Sequence, residues 1–142
     1  MKRLWLAAAA LALAACERTG PGVPDDLDGR WRVQAIAGAP LGEAVDIWLE
    51  IDAETGAISG FNGCNNFTAT MNAFGNSLAV GSIAEEPGEC PSPEAATDEA
   101  RFMGVIGHVQ RRIRRGESLE LLQAPSGSET LLRLRREEIV GG

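Results

Sequence analysis

Lysine, histidine and tyrosine are nearly absent from this 142-residue chain, which has one lysine, one histidine and no tyrosine. Its three cysteines are too few for a disulfide-rich scaffold, and at 44% hydrophobic and 23% charged the chain is too apolar to be disordered. Acidic residues outnumber basic ones by 20 to 13, for a net charge of −7. The length of the chain predicts one domain. The negative charge disfavours electrostatic binding to nucleic acid or to an anionic bilayer, so we expect no nucleic-acid partner.

The longest hydrophobic run lies at the N-terminus, where residues 4–15 follow Lys2 and Arg3. As a helix these twelve residues would span about 18 Å, short of the roughly 30 Å hydrocarbon core of a bilayer. A short apolar run behind a positive N-terminus is typical of a secretory signal, so we predict a signal peptide over residues 1–15. Its removal would leave 127 residues with a net charge of −9 and no lysine.

The end of the signal, Leu13-Ala14-Ala15-Cys16, resembles the lipobox of bacterial lipoproteins, whose cysteine becomes the lipidated first residue. Buried acyl chains stabilise membrane attachment by about 0.8 kcal/mol per CH₂, so an acylated Cys16 would be a durable anchor. Glu17 stands where an aspartate would resemble an inner-membrane retention signal. We therefore expect a lipid-anchored envelope protein, on the outer membrane and facing the periplasm. A cleaved signal with an incidental cysteine is the alternative.

The remaining chain is patterned as a tether followed by short strands. Residues 16–26 are rich in glycine, proline and charge, which predicts a flexible tether behind the lipidated cysteine. Alternating apolar residues then predict five strands, at 31–36, 47–51, 57–61, 67–71 and 78–83. We predict turns at 52–56 and 72–76. The fold class is therefore mainly β, a small antiparallel barrel or strongly curved sheet.

One helix interrupts the strands. Ser92, Pro93 and Glu94 are an N-cap, a proline at the first helical position and an acid in the first turn. Helical spacing is shared by five apolar residues, Phe102, Met103, Ile106, Val109 and Ile113. Arginines at 111–115 would suit the negative end of the helix dipole before Gly116 stops it. The segments 119–122 and 130–135, around a turn at 125–127, predict a closing hairpin.

The motif Ile58-Ser59-Gly60-Phe61-Asn62-Gly63-Cys64-Asn65-Asn66-Phe67 resembles the META domain family, to which HslJ-like heat-shock-associated lipoproteins belong. The match continues through 27–31, 78–84, Cys90 and the final hairpin, so we place the domain at 27–137 and a tail at 138–142. Family members usually have a threonine and a methionine before the second cysteine, where this chain has 85–89 as Glu-Glu-Pro-Gly-Glu. The resemblance implies a lipocalin-like barrel with a packed helix, and it brings no catalytic residues.

With Cys16 acylated, Cys64 and Cys90 remain as a pair in an oxidising compartment, and we predict a disulfide between them. In the chain-entropy model such a loop closure contributes roughly 3.5 kcal/mol to stability. Two buried thiols and a redox or catalytic site are the alternatives.

The family motif supplies a candidate contact loop, whose residues are Asn62, Gly63, Cys64, Asn65, Asn66 and Phe67. Asparagine and glycine tolerate positive φ and cap their own backbone, so a tight strand connection is the structural interpretation and the one we prefer. In the functional interpretation the loop holds amides and a phenylalanine at the barrel mouth for a partner.

His108, the only histidine, allows two further hypotheses. A Cys-His-Asn enzyme would need Cys64 and His108 to meet in space, which their spacing does not show. A zinc site needs four ligands, or three and a water, and would use Cys64, Cys90 and His108, which are all the good zinc ligands of the domain. We therefore expect no metal and no cofactor. A basic strip at 111–115 is a further hypothesis, as a contact for lipid phosphates or an acidic protein.

The sequence thus predicts a non-enzymatic envelope lipoprotein that contacts an unknown envelope protein. Its role in envelope integrity or in tolerance of heat-shock or antibiotic stress is implied by the resemblance alone. The alternatives are a lipocalin-like binder of a small apolar ligand and a cysteine-dependent enzyme.

Overall fold

The computed structural model describes residues 22–123 and 129–138. Within these residues, nine antiparallel strands form one sheet. The strands are β1 (Gly29–Ile36), β2 (Ala39–Pro40), β3 (Trp48–Ile51), β4 (Ala57–Phe61), β5 (Asn66–Phe74), β6 (Ser77–Glu85), β7 (Arg111–Arg115), β8 (Ser118–Leu122) and β9 (Thr130–Glu137). A 3₁₀ helix, Asp25–Leu27, precedes β1, and the helix α1, Pro93–Ile106, lies between β6 and β7.

The sheet closes into a ring because β1 pairs with β3 on one side and with β9 on the other. Strands β3 to β9 follow one another around the ring in chain order. Among the described strands, β2 pairs antiparallel with the end of β1 alone, so eight of them form the ring. The narrowest pairing joins β6 to β7, where Ser77 and Arg111 are the one register pair. The predicted fold class, a small antiparallel barrel with one packed helix, is confirmed.

The interior of the barrel is filled by side chains from alternating strand positions. On β5 the inward residues are Phe67, Ala69 and Met71, as predicted. On β1 a bulge after Val33 breaks the alternation, so that Ala35 and Ile36 are both buried. The largest fully buried side chains are Trp31, Phe102, Leu27, Ile36, Ile47, Leu49, Ile51, Ile106, Leu119, Leu121, Leu132 and Leu134.

The helix prediction was correct at its start and wrong at its end. The Ser92 hydroxyl accepts from the backbone N–H of Ala95 at 3.1 Å, as an N-cap does. The helix ends at Ile106, and residues 111–115 form β7 instead of its last turn. Their pairing with β8 across the Gly116 turn, where φ is +57°, overrides the helical spacing of Ile113.

Most of the predicted turns and hairpins agree with the structure. Asp52 accepts from the backbone N–H groups of Glu54 and Thr55 in the turn before β4. The turn predicted over 72–76 is shorter, because β5 continues to Phe74 and only Gly75 and Asn76 connect it to β6. Strands β8 and β9 form the predicted closing hairpin, while its turn at 125–127 lies outside the described residues.

The packed chain begins before the predicted domain boundary at residue 27. Val23 is buried and donates its backbone N–H to the carbonyl of Ala53. The 3₁₀ helix then packs Leu27 into the barrel. The predicted signal peptide at 1–15, Cys16 and residues 139–142 of the predicted tail lie outside the described residues.

The two ends of the barrel are covered by different segments. At one end, the Phe102 ring of α1 packs on Phe67, with ring centroids 5.7 Å apart, and Arg101 donates to the carbonyl oxygen of Ile36 at 2.6 Å. Asp98, also on α1, accepts from the backbone N–H of Gly42 at 2.7 Å. At the other end lies the 3₁₀ helix, where Trp31 Nε1 donates to the carbonyl of Leu27 at 2.9 Å.

Candidate functional site

Asn62 organises the connection between β4 and β5. Its buried side-chain oxygen accepts from the backbone N–H of Cys64 at 3.1 Å and from that of Asn65 at 2.7 Å. Its Nδ2 donates to Glu85 Oε1, at the end of β6, at 2.7 Å. Gly63 has a φ of +102°, which favours glycine. One amide group therefore shapes the turn and ties it to a third strand.

The structure joins Cys64 to Cys90 in a disulfide, the pairing predicted from the sequence. The bond links the β4–β5 connection to the segment before α1 across a separation of 26 residues. Cys64 is buried and Cys90 lies at the surface. Neither sulfur is a free thiol in this state.

A pair of carboxyl groups lies beside this turn. Burial raises the pKa of Glu99 on α1, and the negative charge of Glu85, together with a hydrogen bond between the two groups, raises it further. Glu85 also accepts from the Asn62 amide and, at 3.4 Å, from the Asn65 amide. Burial and the neighbouring negative charge thus favour the neutral form of Glu99.

The six residues of the candidate contact loop are brought together, but little of the loop is exposed. Asn62, Gly63, Cys64 and Phe67 are buried, while Asn66 is exposed. The Phe67 side chain points into the barrel, against α1, and so is not available to a partner. In this arrangement the loop forms a corner that positions β4 against β5.

The surroundings of His108 do not support the hypotheses of a Cys-His-Asn enzyme or a zinc site. His108 is exposed in the turn after α1, where its backbone N–H donates to the carbonyl of Val105. Among residues 22–123 and 129–138, no three histidine, cysteine or acidic side chains are grouped to hold a metal ion. Over the same described stretch, no helix is long and apolar enough to cross a membrane.

An open groove of about 770 Å³ crosses the outer face of β3 to β6. The lining is mostly apolar and includes four hydroxyl groups, from Ser59 on β4, Thr68 and Thr70 on β5, and Ser82 on β6. All four residues are exposed, and Ser59 and Thr68 are direct cross-strand partners. The loop described above fixes the relative position of these strands, so the groove is a preformed surface.

The amino-acid sequence marks this surface by an absence of charge. The 30 consecutive residues 55–84 contain no charged side chain, although 23% of the whole chain is charged. These residues span β4, β5 and all of β6 except Glu85. The outer face of this half of the barrel is therefore uncharged, and three carboxylates, Asp28, Glu50 and Asp52, lie at one side of the groove.

A buried arginine on β7 was also missed, because its segment was assigned to the helix. Arg112 is 8% exposed; its Nη1 lies 2.7 Å from Asp26 Oδ2 and its Nε donates to the carbonyl of Gly75 at 3.0 Å. The hydrogen bond from Arg112 lowers the pKa of Asp26, against the opposing effect of burial. Gly116 marks a turn in the sequence, but no local pattern beside it identifies β8 as the partner of this segment.

Two further arginines cover Trp31 at the same end. The guanidinium carbon of Arg136 lies 4.6 Å from the ring centroid, and that of Arg114 lies 5.6 Å from it. Both side chains also donate to the backbone carbonyl of Asp26. The basic strip predicted at 111–115 is therefore divided, since Arg112 and Arg114 bind within the molecule.

Comparisons with known proteins agree with this architecture. The family model described as META domain matches residues 25–138. The solution NMR structure of a protein from Burkholderia xenovorans is 18% identical, with a TM-score of 0.62 over 94% of this chain and 99% of that one. A second NMR structure is 16% identical, with a TM-score of 0.60 over 81% of this chain and 94% of the other. A comparison with curated proteins found no match.

The two structural likenesses show the fold alone, because their identities are low. The family match is broader, since it spans the sheet, the helix and the disulfide. On this match, the chain belongs to the META domain family.

Proposed function

We propose that this protein is a non-enzymatic lipoprotein of the cell envelope, anchored through Cys16 to the outer membrane and facing the periplasm. It serves envelope integrity or tolerance of heat-shock or antibiotic stress by contacting another envelope protein. The signal-like N-terminus and the lipobox support the anchor, and membership of the META domain family supports the stress role.

The observation that carries the protein contact is the uncharged outer face of β4 to β6 with its open groove. Covering a charged side chain removes its hydration at a large cost, whereas hydroxyl groups exchange water for hydrogen bonds with a partner. Charged residues are accordingly depleted at the centres of protein interfaces. The groove offers a partner segment hydroxyl donors and acceptors at Ser59, Thr68, Thr70 and Ser82.

The two alternatives fit the described residues less well. A lipocalin-like binder needs an apolar space inside the barrel, whereas Trp31, Leu49 and Leu134 are among the side chains that fill it. Eight strands form a barrel just wide enough for such filling. A cysteine-dependent enzyme needs a thiolate, and Cys64 is bonded to Cys90.

Photo-crosslinking in intact cells tests the contact. A photoreactive residue replaces Thr68 in the groove, and a matched variant carries it at Gln34, an exposed strand position outside the groove. We expect one defined adduct with an envelope protein from position 68 and none from position 34. Ser59→Arg, which fills the groove beside Thr68, should abolish the adduct while the protein stays folded. Equal adducts from both positions, or an adduct that survives Ser59→Arg, would refute the proposed contact surface.

A separate experiment tests the anchor. Cells grown with labelled palmitate should yield a labelled protein in the membrane fraction, and Cys16→Ala should remove both the label and the membrane association. Unlabelled protein in the soluble fraction would refute the lipid anchor and leave the crosslinking result unaffected.

A further inference from the structure

Phe74, the last residue of β5, is exposed over 90% of its surface. In the part of the chain that the structure describes, it is the one large hydrophobic side chain left exposed. Its aromatic ring is therefore available to an apolar environment outside the molecule. The tip is tight, because Phe74 pairs with Ser77 and only Gly75 and Asn76 lie between them.

The surroundings of Phe74 are free of charge within its own hairpin. A surface cavity of about 480 Å³ lies beside it, lined by Gly22, by residues 72–74 of β5 and by residues 77–79 of β6. Apart from Glu85, at the far end of β6, no residue of this hairpin is acidic or basic. A fully exposed aromatic ring at an uncharged hairpin tip can enter an apolar environment without desolvation of a charged side chain of that tip.

Gly22 relates this hairpin to the proposed anchor. It follows Cys16 by six residues, which span at most about 20 Å even when fully extended. The cavity that Gly22 shares with Phe74 is therefore held within that distance of the lipidated cysteine. The hairpin lies at the end of the barrel opposite α1, because β5 runs away from the α1 end.

The charges at this end do not favour binding by electrostatic attraction. Arg111 is paired in register with Ser77 and is half-buried beside the hairpin. Arg112 is already neutralised by Asp26, and Asp25 is exposed on the same 3₁₀ helix. With a predicted mature charge of −9, the protein gains little from anionic lipids. Membrane contact at this end must depend on apolar insertion.

We infer that the β5–β6 hairpin inserts Phe74 into the phospholipid bilayer that holds the acyl chains of Cys16. This inference rests on the proposed lipid anchor and adds an orientation to it. With the hairpin in the membrane, the α1 end of the barrel faces away from the bilayer. The lipid chains and Phe74 then form two attachments close together, which restrict the rotation of the domain relative to the membrane.

Membrane-depth measurements on the full lipidated protein test the insertion. Phe74→Cys carries an environment-sensitive fluorophore, and Ala100→Cys, an exposed position on α1, carries the same fluorophore as the matched control. In phosphatidylcholine vesicles we expect nitroxide-labelled lipids to quench the fluorophore at position 74 and not that at position 100. Addition of phosphatidylglycerol should leave this difference unchanged, because insertion is apolar.

The outcomes separate the insertion from the anchor. If the lipidated protein sediments with vesicles while the fluorophore at position 74 stays accessible to aqueous iodide, the insertion is wrong and the anchor stands. If the full chain carries no lipid, the anchor is wrong. The insertion is then decided with Cys16→Ala protein at high vesicle concentration, where Phe74→Ser should weaken partitioning about tenfold and Ala100→Ser should not change it. Equal partitioning of the two variants would overturn the inference, as would crosslinking of position 74 to a protein instead of lipid.

Discussion

The two halves of the barrel are held together by different interactions. The half formed by β4, β5 and most of β6 has no charged residue and is fixed by the Cys64–Cys90 disulfide and the buried Asn62 turn. The half formed by β1 and β7 to β9 carries most arginines and is fixed by contacts such as the Arg112–Asp26 pair. Such contacts pair several charges of the second half within the molecule, while Arg115 and Arg135 are exposed, and the uncharged half presents the surface that we propose for lipid and protein.

The largest effect is expected in the charged half, from Trp31→Ala. The change removes a fully buried ring, its hydrogen bond to Leu27 and the surface on which two arginines stack. We expect a loss of about 4 kcal/mol in the free energy of unfolding, measured by chemical denaturation. Trp48→Ala is the control, because Trp48 is half-buried and stacks with the single guanidinium of Arg30, and it should cost about 1 kcal/mol. Equal losses would show that the Trp31 cluster does not hold this end.

Removal of the disulfide tests the uncharged half. Cys64→Ala/Cys90→Ala should lower the free energy of unfolding by about 3 kcal/mol, because the loop between the two residues becomes unrestrained in the unfolded chain. A reductant should destabilise the wild-type protein by a similar amount and leave the double variant unchanged. A loss below about 1 kcal/mol would mean that packing and the Asn62 turn close this half without the bond.

Asp26→Asn should reveal the pH dependence of the charged half. Arg112 lowers the pKa of Asp26, so the pair stabilises the fold above the ordinary pKa of aspartate, and the contribution is lost as the pH falls through the lowered value. We expect a loss of about 1 to 2 kcal/mol at pH 7, moderated because Asp26 is partly exposed to water. Thermal unfolding across pH should show the variant and the wild type converging in acid. Asp25→Asn, on the same 3₁₀ helix, is the control and should change stability by less than about 0.5 kcal/mol.

Glu99→Gln should have the smallest effect and the opposite sign. Burial and the charge of Glu85 raise the pKa of Glu99, so its contribution is fully present below the ordinary pKa of glutamate and is lost as the pH rises through the raised value. At pH 7 the glutamine variant should therefore be more stable, by less than about 1 kcal/mol, and this gain should disappear in acid. Glu94→Gln, in the first turn of α1, should instead be slightly destabilising, because a negative charge is favourable there. Destabilisation by Glu99→Gln at pH 7 would contradict the carboxyl pair.

The features that the sequence predicted depend on local residue patterns or on the number of available cysteines. Alternation alone predicts β4 and β5, and the N-cap of α1 follows from Ser92 and Pro93. The disulfide follows once Cys16 is assigned to the lipid, since only two cysteines remain.

The missed features depend on contacts between distant segments. Ile113 has helical spacing, but its pairing with β8 decides its structure, and no local pattern reports that pairing. Arg112 is buried because Asp26, 86 residues away, neutralises it. The groove arises from the curvature of four strands, so its lining residues are ordinary exposed serines and threonines in the sequence. The sequence predicts a turn around Phe74, and exposed residues are ordinary in turns. Only the structure shows that Phe74 and Gly22 line the same cavity.

The most direct test of the difference between the two halves is the pair of photo-crosslinking probes at Thr68 and Gln34 in intact cells. We predict a defined envelope-protein adduct from Thr68 that is lost in the Ser59→Arg variant, and no adduct from Gln34. An adduct from Gln34 alone, or equal adducts from both positions, would contradict the assignment of the uncharged half as the contact surface.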